Sequence, residues 1–236
     1  MKRYSTALLF LLVFVGISAQ QDTINITAKI SENSNLISVD QEIIYYNTTD
    51  LPIKKIKLLN WVSAYKNRNT PLLSRTLQDR KSDMYFATKE ELGDTDDLKI
   101  KIGSSDWDYL SGNDENIYYP LAAELKPGES VKIALQYLLK IPHKKFTGYG
   151  IDQNSLSFKY FFIVPDSFEN LDQSSRYFQN IEENQSPGNY WKINFDLPAT
   201  YFIESNLEQI QPGLFAGALN KDPEFLITLK PTDQMI

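Results

Sequence analysis

Ser130-Val131-Lys132-Ile133-Ala134-Leu135-Gln136-Tyr137-Leu138-Leu139-Lys140-Ile141 alternates apolar and mostly polar side chains along its whole length. Successive side chains of a strand point to opposite faces, so Val131, Ile133, Leu135, Tyr137, Leu139 and Ile141 share one face. Lys132, Ala134, Gln136, Leu138 and Lys140 take the other. The spacing predicts a half-buried antiparallel strand with one side on a core. The same period recurs at Ile37, Val39, Ile43 and Tyr45, at Leu156, Phe158, Tyr160, Phe162 and Val164, and at Trp191, Ile193, Phe195 and Leu197. Shorter runs at Thr23–Ile30, Lys54–Trp61, Leu98–Ile102 and Phe225–Leu229 bring the expectation to about ten strands.

The breaks between these runs agree. Pro127-Gly128 suits a type II turn, with proline fixing φ at the second position and glycine supplying positive φ at the third. Pro187-Gly188 and Pro212-Gly213 are further breaks, and Ser31–Asn35 reads as a polar hairpin loop. Helical signal is confined to one turn at Thr88–Leu92 and two or three turns at Ser167–Phe178. No fixed-period repeat, low-complexity tract or linker interrupts the chain. The expected fold is all-β, a single sandwich-like domain of mainly antiparallel sheets with one or two short helices.

Lys2 and Arg3, the apolar run Ala7–Val15 and the small residues ending at Ala19 read as a cleaved secretory signal over residues 1–19, leaving 20–236 as the domain. The apolar core is short of the roughly 20 residues that a transmembrane helix needs. No cysteine follows the cleavage point to carry a lipid. The expected location is therefore the periplasm or the exterior, with no membrane attachment after cleavage. Removing that segment takes away two of the 24 basic residues and none of the 30 acidic ones, moving the net charge from −6 to −8. Such a surface repels phosphate backbones, so a nucleic-acid partner is not expected.

The chain has no cysteine, and His143 is its only histidine. Cys-His nucleophile systems and the usual zinc sites need more than that. Among local clusters, Ile141–Gly150 (IPHKKFTGYG) is a basic loop that could grip a carboxylate, or a strand end whose charges sit in solvent. Asp94, Asp96 and Asp97, then Asp106 and Asp108, then Asp114 and Glu115 invite a calcium reading, but none has EF-hand spacing and solvated loops explain them. A pair of carboxylates could also act as the acid and base of a glycosidase. The ring pairs Tyr45-Tyr46, Tyr118-Tyr119 and Tyr160-Phe161-Phe162 suit a sugar- or peptide-binding platform or a packed core. Asn25 and Asn47 stand in glycosylation sequons, which matter only in a eukaryotic secretory pathway.

Several segments together resemble the N-terminal β-domain of the aminopeptidase N family of zinc metallopeptidases, in its bacterial exported form. They are Leu36–Asn47 (LISVDQEIIYYN), Leu58-Leu59-Asn60-Trp61, Leu125–Val131 leading to Leu135-Gln136-Tyr137, and Ile193–Pro198 with Glu204–Leu207. The resemblance covers most of residues 20–236 and rests on structural, not chemical, signatures. It implies a saddle-shaped β-structure packed on a helical catalytic domain that holds zinc through H-E-x-x-H and a downstream glutamate. None of those zinc ligands occurs here, so no catalytic, metal or cofactor residue is assigned. The family also holds the substrate amine with a residue from a T-Q-F-E-like stretch. This sequence lacks that stretch, so the substrate-binding residue is unknown; Glu169 and Glu182 are candidates by neighbourhood alone.

By that resemblance the chain is a non-catalytic β-domain that caps a cleft and helps position a peptide's amino end. Its partners would be a catalytic domain or a peptide substrate, and the sequence near Ile236 reads like a cut. The alternative is a free-standing periplasmic or surface module for peptide or glycan. The first reading calls for a broad exposed apolar face, the second for outward rings on one sheet face. A carboxylate-only hydrolase is a third.

Overall fold

A computed structural model describes residues 21–30, 35–110, 114–153, 155–166, 177–179, 188–198 and 200–229. The signal segment, Glu169, Glu182 and nearly all of the helix expected at 167–178 lie outside these residues.

The alternation at 130–141 becomes β7 (Ser130–Lys140), whose Ile133, Leu135, Tyr137 and Leu139 are all buried. It pairs antiparallel with β2 (Leu36–Tyr46) on one side and β4 (Asp94–Ile102) on the other. β1 (Thr23–Ile30) pairs antiparallel with β2 and parallel with β11 (Asn189–Asp196). The two-residue β5 (Asp108–Tyr109) extends one edge, and β14 (Leu214–Leu219) with β13 (Glu208–Gln211) extends the other. The result is an eight-stranded sheet in the order β13-β14-β11-β1-β2-β7-β4-β5.

Two smaller sheets complete the core. One holds β10 (Val164–Pro165), β3 (Ile53–Leu59) and β6 (Asn116–Leu125). The other runs β12 (Tyr201–Ser205), β15 (Phe225–Leu229), β9 (Ser155–Phe158) and β8 (Gly150–Ile151). Phe225 and Phe158 of the four-stranded sheet meet Phe195 of β11 edge to face, at 4.8 and 6.3 Å between ring centroids. Buried side chains from all three sheets form one cluster. The all-β, sandwich-like expectation holds, with mainly antiparallel pairing.

Three local expectations differ. The run 156–164 is not one strand: β9 stops at Phe158, Tyr160 adopts φ of 62°, and the chain crosses the core to β10. Phe161, Phe162 and Ile163 are all buried, which an alternating strand with one wet face does not allow. The buried Gln41 and Tyr137 of the large sheet fasten this crossing. Gln41 donates to the Ile163 carbonyl at 2.5 Å and accepts from the Tyr137 hydroxyl at 2.7 Å.

Residues 88–92 form a reverse turn rather than a helix, closed by Glu91 N–H to the Thr88 carbonyl. The α-helix is instead α1 (Pro71–Gln78), started by the Thr70 side chain accepting from Leu73 N–H and by Pro71 in the first turn. Strand β3 ends at Leu59, and Trp61–Tyr65 forms a buried 3-10 turn. The Pro127-Gly128 turn is as expected: Gly128 has φ of 77° and Glu129 N–H reaches the Lys126 carbonyl at 3.0 Å.

Candidate functional site

Loop 141–151 folds back on itself. His143 N–H donates to the Glu91 carbonyl, and His143 Nδ1 accepts from Lys145 N–H at 3.1 Å. The Lys145 ammonium pairs with Glu91, and Lys144 reaches Asp152 and Ser155. Gly150 allows the closure, since a Cβ there would stand 2.3 Å from the Pro142 carbonyl oxygen. Its backbone approach is to the loop itself, so the loop's cations and glycine serve internal closure rather than an open carboxylate grip.

The acidic clusters do not converge. Among the described residues no three His, Cys, Asp or Glu side chains are placed to hold a metal ion. Asp94, Asp96 and Asp97 lie in strand β4 rather than a loop, with Asp97 at φ of 51° where the pairing register shifts. Asp94 accepts from the Ser63 hydroxyl, Asp108 from the Tyr119 hydroxyl, and Asp114 pairs with Lys66. A depression of about 620 Å³ near Arg68 and Lys140 is similarly wired inward. Arg68 donates to the Ala87 carbonyl and Lys140 to the Lys89 carbonyl.

Glu115 departs furthest from the solvated-loop expectation. It is buried beside Tyr65, and its carboxylate accepts from Phe178 N–H at 2.6 Å. Phe178 in turn packs its ring on Trp61, Tyr65 and Tyr160. Burial pushes the Glu115 carboxyl up to about 7, although the Phe178 N–H and Lys66 oppose the rise. Nothing in the spacing of Asp114-Glu115 marks this burial.

A raised folded pKa means the native state holds the proton more tightly than the unfolded chain, where the group titrates near 4.5. The stabilisation is complete below that value and is lost as pH climbs through about 7. Glu115→Gln keeps an oxygen for Phe178 N–H and cannot ionise. In urea unfolding, the variant should gain about 2 kcal/mol on the wild type between pH 5 and pH 8. An unchanged difference across that range would remove Glu115 as the cause.

The ring pairs divide unevenly. Tyr45, Tyr160, Phe161 and Phe162 are buried, so they belong to the core rather than a platform. Tyr118 is 39 % exposed and lies under Lys55 and Lys57. Among the described residues the most exposed rings stand elsewhere, at Phe86, Tyr109 and Phe202, and Trp107 is also exposed. Phe202 and Leu226 share the outer face of the β12–β15 pair, Tyr85 meets Phe86 edge to face, and Trp107 and Tyr109 flank Asp108 in one segment. Asn47 is fully buried and so closed to glycosylation in the folded chain, while Asn25 lies on the outer face of β1.

That outer face carries a shallow groove of about 480 Å³ across the middle of the eight-stranded sheet. Its residues come from β11, β1, β2 and β7 at matching register, with Leu214 of β14 at one side and Trp107 beside them from the segment before β5.

In sequence, the chain matches no family model and no curated protein. In structure it is similar to M1 zinc metallopeptidases from Deinococcus radiodurans. A mutant bound to a Tyr-Ser-Ala substrate superposes with a TM-score of 0.50 at 9% identity, over 89% of this chain and 43% of that one. A mutant described without a ligand gives 0.50 and 9% over 89% and 42%. The likeness is one of fold, and this chain spans less than half the length of those it matches.

Proposed function

We propose that this chain is a non-catalytic, exported β-domain that serves a zinc aminopeptidase-like assembly, capping the cleft and helping to hold a peptide's amino end. The observation that carries the reading is the shared sandwich, which runs through 89% of the chain in an M1 zinc metallopeptidase crystallised with a tripeptide. The residues present do not fit zinc. One histidine and no cysteine cannot build the two-histidine site of such enzymes, and the described carboxylates are spread over separate strands and turns. The domain's contribution is then geometric: a stiff wall of paired strands against which a peptide is placed.

The test uses purified protein supplied with zinc. Elemental analysis should find no stoichiometric metal, and aminoacyl-anilide substrates should show no turnover. One zinc per chain together with aminopeptidase turnover would overturn the reading.

A further inference from the structure

We infer that the outer face of the eight-stranded sheet binds a short saccharide chain, seated between Trp107 and the Lys192–Asn194 stretch of β11. Two rows of side chains cross the sheet in register. From β11 to β7, Lys192, Asn25, Glu42 and Ala134 form one row, with Lys101 of β4 next in register. Asn194, Thr27, Asp40 and Gln136 form the other. With neighbouring strands roughly 4.8 Å apart, each row spans roughly 15 Å, enough for two or three sugar rings. Ala134 is the one short side chain in its row, which lowers the floor between Glu42 and Trp107.

The groups suit hydroxyls. Each amide offers donors and an acceptor, and each carboxylate accepts, so vicinal hydroxyls can be held in pairs. The central groups are already oriented. Gln136 Nε2 donates to Asp40 Oδ1 at 2.8 Å, and Glu42 is tied to Lys132 at 2.5 Å, so little rotamer freedom is lost on binding. Trp107, 41 % exposed, supplies a flat apolar surface for the C–H face of a ring. This pairing of one aromatic wall with convergent polar groups is the usual make-up of a small-molecule site.

Other ligands fit less well. β11, β1, β2 and β7 are each paired on both sides, so no free strand edge in the groove can take a peptide as an added strand. Trp107, Ala134 and Leu214 add apolar surface beside the polar side chains of the groove. Asp40, Glu42 and Lys192 together leave the groove without a dominant charge for an anion. The inference is independent of the peptidase reading, since the groove lies on the face of the sheet turned away from its core.

The protein reports on its own site. Trp61 and Trp191 are buried, so a ligand-induced fluorescence change would come from Trp107. The probes are tetrasaccharides of β-1,4-glucose, α-1,4-glucose, β-1,4-mannose and β-1,4-N-acetylglucosamine, titrated by fluorescence and calorimetry. At least one should bind, and Trp107→Ala and Asn194→Ala should each weaken it tenfold or more with an unchanged melting temperature. Phe202→Ala, on a different sheet, should bind like wild type. No binding at millimolar sugar, equal binding by Trp107→Ala, or a fluorescence response to a random peptide pool but to no sugar would each overturn the assignment.

Discussion

Replacing Asn47 by alanine is expected to cost the fold about 3 kcal/mol. Asn47 follows β2 and is fully buried, with every side-chain polar atom engaged. Its Nδ2 donates to the Leu51 and Leu125 carbonyls, both at 2.8 Å, and its Oδ1 accepts from Thr49 N–H and from the Thr49 hydroxyl. Its own backbone meets the next turn: Asn47 N–H donates to the Glu129 carbonyl and Gly128 N–H to the Asn47 carbonyl. One side chain therefore ties the large sheet's β2 to the end of β6 and to the approach to β3. Alanine would leave the Leu125 carbonyl without this partner in the interior, at about 1–3 kcal/mol, and would also release the Leu51 and Thr49 contacts that hold the loop. Urea unfolding with unchanged m-value reads the loss. A cost below about 1 kcal/mol would mean that water takes over the amide's contacts.

Lys57→Met should be of similar size, about 3–5 kcal/mol, for an electrostatic reason. Lys57 of β3 and Asp166 just beyond β10 form an ion pair at 2.7 Å with only 9% of each side chain exposed. Asp166 N–H also donates to the Lys57 carbonyl, so the two strands meet through main chain and charge at one point. Removing the ammonium takes the 2.7 Å partner from a carboxylate where hydration is poor, which costs more than the pair itself contributes. The double variant Lys57→Met with Asp166→Leu should therefore recover most of the loss. If the double variant is as unstable as the sum of the two single ones, the pair is not coupled and the account fails.

The readable parts of the chain were those where burial is a strand-local matter. Thr23–Ile30 and Phe225–Leu229 appear in the structure with the bounds the pattern assigns, and β2, β7 and β11 differ by a residue or two. β6 is not among the runs that the apolar period picks out, and its Pro120 stands on an edge strand, where a missing N–H is tolerated. β13 is exposed at all four residues, so it carries no apolar period to detect. The helix at Pro71–Gln78 did announce itself through Thr70-Pro71, a cap and first-turn pair that strand periodicity overshadowed. Glu115 and Lys57 look like ordinary surface charges in sequence; only packing from other elements makes them buried.

The sequence by itself determined the all-β class, the inward faces of the main strands and the absence of a two-histidine metal site. Side-chain alternation and residue supply are properties of the chain alone. The tertiary structure decided which strands are neighbours. The parallel pairing of β1 with β11 joins residues more than 160 positions apart in number, Asn25 with Lys192 and Thr27 with Asn194. Pairing with β2 and β7 then adds Asp40 and Gln136 to the same row. Strand periodicity says which side of a strand a residue takes, but backbone hydrogen bonds between distant segments choose its companions, and the groove exists only through that choice.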